Sequence, residues 1–505
     1  MRRAGILMPI SSLPSPFGIG TFSKEAYDFV DFLVQAGQYS WQILPLGPTG
    51  FGDSPYQSVS AFAGNPYFID PVTLKEEGLL SEEELWSYDF GSDVTQADYG
   101  KLYNFRLLLL NTAFQHFEEQ GGTMSDAWHD FLSEEADWLE DYALFMAIKK
   151  EQDGKSWLDW PAPLKKREAA ALKQAGEELA SSVNFFRFVQ YEFFRQWKKL
   201  HAYAQKQGIE IIGDMPFFVS LDSCDAWSHP EVFEMSSSHT PRAVAGTADG
   251  QVWGNPVYDW KELKRDHYGW WMRRMAFAAK IYDVIRIDHF HGFLSCYAIP
   301  WPVDEKAKGA MEKGPGIAFF QELKAQLGEI PMIAEDLGSV TEENTKLLKD
   351  TGIPGMNILQ YAFTSWDSIY LPHKIEKNAV VYTGNHDNMT TPSWVKTLTE
   401  GERKFTRAYI RSWNTDDNGM TWDMIREAYH CPADLCIIPL PDYLCLGEDG
   451  RINTPGTAQG NWKWRLKPDF LSKELAGSIR ALAETYGRIV KQEKSNGKAD
   501  DSLSV

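Results

Sequence analysis

Cysteine is scarce and scattered: five in 505 residues, at positions 224, 296, 431, 436 and 445. None forms a CxxC pair and none joins histidines at zinc spacing, which excludes a zinc module. An odd, dispersed set suits a reducing cytoplasm. Long hydrophobic runs are also missing, and nothing approaches the roughly 20 apolar residues of a membrane span. Arg2-Arg3 followed by Ala4–Ile10 mimics the start of an export signal. That run is short, contains Pro9 and leads into Ser-Ser-Leu-Pro without a small-residue cleavage site, so it reads as a first strand. Positive charge is the minority sign: 50 Lys and Arg against 70 Asp and Glu, a formal net charge of −20. No basic patch offsets it, which argues against nucleic acid and against an anionic membrane surface. There is no GxGxxG turn opening a helix for a dinucleotide. Nor is there an EF-hand-like Asp-x-Asp calcium loop, and no metal is expected.

What is present is a globular balance, 43% hydrophobic and 24% charged. The length suits two or three ordinary domains or one large barrel with insertions. Aromatics are plentiful, with 19 Trp, 21 Tyr and 29 Phe. They could fill a core or make flat platforms for sugar rings, and composition does not separate the two.

Apolar runs and helical patterns alternate along the chain. Strands are expected at Gly5–Ile10, Tyr39–Leu46, Ile209–Val219, Val284–His289, Pro331–Leu337, Gly355–Phe363, Ala379–Gly384 and Ala433–Leu440. Helices are expected at Lys24–Gly37, Asp266–Lys280, Ile317–Leu327, Thr341–Thr351 and Leu471–Lys491. Eight such runs predict one parallel (β/α)8 TIM barrel over 1–505, with an open doubly wound sheet as the runner-up. Residues 70–208 are charged, amphipathic and helical, and read as an inserted helical subdomain after strand two. Residues 220–266 read as a loop-rich insertion after strand three, and 493–505 as a disordered tail.

The most informative stretch is Val284–Phe293, in which a buried strand carries Arg286 inside it and Asp288 at its end. Residues two apart share a strand face, so these two point together. One such pair is most simply a structural ion pair or a helix cap. In a barrel, however, catalytic groups sit where strands end. Those positions hold Asp214, Asp288, Glu335 and Asp387, with Arg286 and His386 beside them. Four carboxylates at one mouth raise one another's pKa, which suits glycoside chemistry, where one carboxylate attacks and another donates a proton.

Several stretches together resemble the amylomaltase, or 4-α-glucanotransferase, family in its short bacterial form. They are Asp53-Ser54-Pro55-Tyr56-Gln57-Ser58, Gly213-Asp214-Met215-Pro216, Val252-Trp253-Gly254-Asn255-Pro256 and Ile287-Asp288-His289-Phe290. Ala334-Glu335-Asp336-Leu337-Gly338, Thr383-Gly384-Asn385-His386-Asp387-Asn388 and Asn453-Thr454-Pro455-Gly456 complete the set, in the family's order. The resemblance implies a retaining double displacement on α-1,4-glucans and maltooligosaccharides, with glucose as an acceptor and no cofactor. Asp288 would be the nucleophile, held ionised by Arg286, and Glu335 the acid and then the base. Asp387 would stabilise the transition state beside His386. Tyr56 would stack on the donor sugar, Trp253 would face the acceptor, and Gln251 and Phe363 would be further substrate contacts; Asp214 would orient the nucleophile's strand or a sugar hydroxyl, with a structural cap as the alternative. His291 is a departure, since many relatives carry arginine there.

The same covalent chemistry serves a retaining hydrolase of the α-amylase type if water attacks. Two features favour transfer. The Gly246–Pro256 loop with Trp253 could place an acceptor and exclude water. Only about sixty residues follow the eighth strand, too few for the sandwich of about 100 residues that α-amylase-type hydrolases usually append. A non-catalytic glucan-binding barrel would lack the nucleophile or the acid, and both are here.

Overall fold

Leu435–Pro439 and Ala379–Tyr382 are short runs of β-branched and large apolar residues, and every one of them is buried. Such a run has no solvent face and is stable only inside a sheet covered on both sides. The computed structural model describes residues 2–50, 52–248, 250–303, 308–338 and 341–489, and the expected tail at 493–505 lies outside the described residues. In chain order the strands are β1 (Arg3–Leu7), β2 (Ser40–Gln42), β3 (Glu210–Met215), β4 (Ala243–Gly246), β5 (Val252–Pro256) and β6 (Val284–Ile287). They continue with β7 (Ser295–Pro300), β8 (Ala310–Lys313), β9 (Met332–Ala334), β10 (Gly355–Ile358), β11 (Ala379–Tyr382) and β12 (Leu435–Pro439).

Eight of these close a parallel barrel in the order β1-β12-β11-β10-β9-β6-β3-β2. This is the expected (β/α)8 barrel, and the open-sheet alternative is excluded. The strands are shorter than the apolar runs predicted. Leu44, Leu46, Phe217, Phe218, Val219 and Phe363 are all buried beyond the ends of their ladders. They pack under the segments that cover the barrel mouth, and apolar periodicity reports burial rather than ladder hydrogen bonds.

The other four strands form an antiparallel sheet in the order β5-β4-β7-β8. The sequence pattern foresees neither β7 nor β8, because they follow β6 with no α-helix between. The sheet therefore draws strands from both sides of β6, not only from 220–266. Between β2 and β3 run the helices from Pro71–Glu76 to Ala180–Lys206. Trp128, Trp138, Trp157 and Trp160 are buried there, while Trp86 is exposed, so four of these five are core rather than platform. The 27-residue helix Ala180–Lys206 buries Val183, Phe186, Val189, Phe193, Trp197, Leu200 and Ala204 along one stripe. Its buried Gln190 accepts from Gly64 N–H at 2.7 Å and donates to Gly64 C=O at 3.0 Å. A Cβ on Gly64 would fall 2.1 Å from the Phe193 ring. That close seat clamps the far end of the loop that carries Tyr56.

Candidate active site

Adjacent parallel strands point register partners the same way, and Asp214 of β3 is the partner of Arg286 of β6. Both side chains turn into the barrel, where they are 0% and 1% exposed. Arg286 Nη1 donates to Asp214 Oδ1 at 2.6 Å and Oδ2 at 2.7 Å, and to Asp288 Oδ1 at 3.1 Å. One guanidinium thus serves two carboxylates, and Asp214 takes the larger share. Asp288 follows directly after β6 and keeps 26% of its side chain open to the mouth. Burial pushes its carboxyl up to about 6; Arg286 opposes this, while Asp214 and Asp387 add to it. Arg286 thus lowers the Asp288 pKa without setting it. The cation is spent mainly on Asp214, and desolvation outweighs what remains.

Glu335 is the residue after β9. Its Oε2 accepts from His289 N–H at 2.8 Å and its Oε1 from Leu337 N–H at 2.9 Å. His289 presents that amide from a left-handed conformation, φ 51°, which L-residues seldom adopt without a reason. Burial pushes Glu335 up to about 7, the negative Asp288 adds to the rise, and Arg286 and the two amides oppose it. The two carboxyls therefore separate: Asp288 ionises first and Glu335 holds its proton longer.

Asp387 lies beyond the end of β11. Burial pushes its carboxyl up, but His386 and the hydrogen bonds from His386 and Asn453 outweigh this and hold it below the usual carboxylate range. Asn453 Nδ2 donates to Asp387 Oδ1 at 2.6 Å, and His386 Nε2 lies 3.3 Å from Oδ2. The Tyr56 hydroxyl donates to Asp214 Oδ2 at 2.8 Å and lies 2.9 Å from His386 Nε2. The two rings stack at 5.3 Å.

Trp253 on β5 stands edge-on to the His289 ring at 5.1 Å, and its Nε1 donates to the exposed Gln251 at 3.3 Å. These two sit at the rim of the mouth, linked through His289 to Glu335. His291, the departure from the family pattern, lies 4.5 Å from the His289 ring, and burial lowers its pKa. Phe363 stands apart from the others. It is 1% exposed and packs against Tyr409 at 5.5 Å, so as placed it offers no face to a sugar. The aromatic open to the mouth on that segment is Tyr361, 40% exposed, whose hydroxyl accepts from Asn388 Nδ2 at 2.9 Å. Sequence reasoning assigned no role to Tyr361 or Asn453. The Asn-Thr-Pro-Gly motif was the available signal for the second, while the first was hidden inside an apolar run.

A (β/α)8 barrel whose C-terminal mouth gathers Asp288, Glu335 and Asp387 around Arg286 has the carboxylate set of a glycoside-processing enzyme. The family model described as 4-alpha-glucanotransferase matches residues 8–472. The chain is 43% identical over 501 residues to the 4-alpha-glucanotransferase of Thermus thermophilus, covering 97% of this chain and 99% of that protein. To the one from Streptococcus pneumoniae serotype 4 it is 44% identical over 497 residues, covering 97% and 98%. Its structure matches amylomaltase from Streptococcus agalactiae in complex with acarbose at TM-score 0.93 and 38% identity, covering 97% of this chain and 100% of that one. The chain belongs to the 4-alpha-glucanotransferase family.

Among the described residues no group of three or more His, Cys, Asp or Glu is arranged to hold a metal ion, and no helix is long and apolar enough to cross a membrane.

Proposed function

We propose that this enzyme moves α-1,4-glucan segments from a maltooligosaccharide or starch-type donor to the 4-hydroxyl of an acceptor glucan or of glucose. Asp288 attacks the anomeric carbon as the bond to the leaving oxygen breaks, and Glu335 gives that oxygen its proton. Asp387 faces the oxocarbenium-like charge that develops between these two steps. The resulting glycosyl ester makes Asp288 neutral, which removes the like charge that helped to raise Glu335. Glu335 is then fitted to take the proton of the incoming 4-hydroxyl, whose oxygen displaces Asp288. Two inversions leave the α configuration unchanged.

The observation that carries this reading is geometric: Asp288 and Glu335 follow the neighbouring strands β6 and β9, Arg286 donates to Asp288, and two backbone amides hold Glu335. Trp253 beside His289 supports a sugar acceptor, since it lays an aromatic face next to the segment that holds Glu335. The four buried cysteines, all free, fit a cytoplasmic enzyme. We read 70–208 as the subdomain that braces the Tyr56 loop through Gln190. Asp288→Asn is expected to lower turnover by at least about 10⁴-fold while leaving maltooligosaccharide binding in place. Turnover near that of the unaltered enzyme would remove Asp288 from the role.

A further inference from the structure

We propose that the Tyr56 hydroxyl, beyond any stacking by its ring, is a positioning group that joins the nucleophile's charge network to that of the transition-state carboxylate. Among the described residues, Tyr56 is the one direct hydrogen-bonded bridge between the two groups. On one side are Asp288, Arg286 and Asp214; on the other are His386, Asp387 and Asn453. The directions of the bonds follow from chemistry. A carboxylate paired with arginine only accepts, so the hydroxyl proton goes to Asp214. The phenol oxygen must then accept from His386, which puts a proton on Nε2. His386 Nδ1 is buried with no partner among the described residues; burial lowers the imidazole pKa but Asp387 outweighs it and raises it, and Nε2 carries its proton in the Nε2–H tautomer and in the cation alike. That N–H is shared between the phenol oxygen at 2.9 Å and Asp387 Oδ2 at 3.3 Å.

The bridge matters because Arg286 is contested. Asp214 holds the guanidinium at 2.6 and 2.7 Å, while Asp288 reaches it at 3.1 Å. The proton that Tyr56 gives to Asp214 Oδ2 satisfies part of what Asp214 would otherwise draw from Arg286. More of the cation is then left for the nucleophile. The charged and titratable groups that face Asp288 are Arg286 on its own strand, Asp214 from β3, Glu335 after β9, and His386 and Asp387 after β11. Tyr56, from the loop after β2, touches two of them directly. Without the hydroxyl, Asp214 takes more of Arg286, and Asp288 requires a higher pH to ionise. His386 meanwhile turns its Nε2–H wholly to Asp387.

This inference rests on Asp288 as nucleophile, and the test separates the two. The variant is Tyr56→Phe, which keeps the ring and removes the bridge. With maltotriose, kcat is expected to fall at least about tenfold with KM within about twofold. The acid limb of kcat/KM is expected to move up by about half a pH unit or more. Unchanged kcat and an unmoved acid limb would overturn the proposal, as would a rise confined to KM. If Tyr56→Phe does not fold, 3-fluorotyrosine at position 56 is a stronger donor of nearly the same shape and should move the acid limb downward; no movement overturns it. Trapping a glycosyl-enzyme with a fluorinated sugar donor and mapping the adduct examines the underlying assignment by itself. An adduct elsewhere than Asp288 removes that assignment, whatever Tyr56→Phe does.

Discussion

Glu335 shows how a single residue is tuned by where the chain puts it. Two backbone amides donate to its carboxylate, at 2.8 and 2.9 Å, and by themselves would lower its pKa. Burial and the neighbouring Asp288 win, and the group rises from the ordinary 4.5 to about 7. Folding then favours the protonated form, so between those two values the native chain binds more protons than the unfolded one. Its contribution to stability is present below the unfolded pKa and is lost as pH rises towards about 7. Glu335→Gln removes that loss. Melting curves should show the variant gaining on the unaltered protein from pH 4.5 to about 7, then levelling off. The gain should be on the order of 1–3 kcal/mol, and a constant difference across that range would contradict the tuning. The place of Glu335 at the mouth was legible in the sequence, because it sits one residue past an apolar strand in a family motif. The partition of Arg286 was not. Which carboxylate claims the guanidinium depends on the lateral register of β3 against β6, and no local pattern encodes that.

At the scale of elements, the long helix Ala180–Lys206 does more than cover the barrel. Gln190 satisfies both the N–H and the C=O of Gly64, which are buried and have nowhere else to go. Gln190→Ala leaves two unpaired backbone groups and is expected to cost roughly 2–4 kcal/mol of stability, read from denaturant midpoints. A change within about 0.5 kcal/mol would mean that Gly64 finds other partners. The helix and the barrel strands were readable as elements, since each carries a long periodic or fully apolar run. Their ends were less so, because Phe217, Phe218 and Phe363 continue the apolar signal after the ladder stops. The strand β7 is half-buried and escaped because it follows β6 with no α-helix between, while β8 escaped for the opposite reason. Ala310–Lys313 is almost wholly exposed and has no apolar stripe to read.

Over the whole molecule, the barrel brings together groups that lie far apart in the chain. Tyr56 and His386 meet across 330 positions, and Asn453 reaches Asp387 across 66. The strand-end rule found the carboxylates, because it reads topology from local pattern. The Tyr56 bridge and the Asn453 contact arise only when loops after β2, β11 and β12 converge, so they come from the closed fold alone. The antiparallel sheet beside β6 carries Trp253 to the same mouth, against the His289 ring. That placement makes transfer to a sugar, rather than to water, the central claim. Incubation with maltotriose and a full product profile tests it most directly. The account predicts free glucose together with maltooligosaccharides longer than the donor. Glucose and maltose alone, with nothing longer than maltotriose at any time, would contradict it.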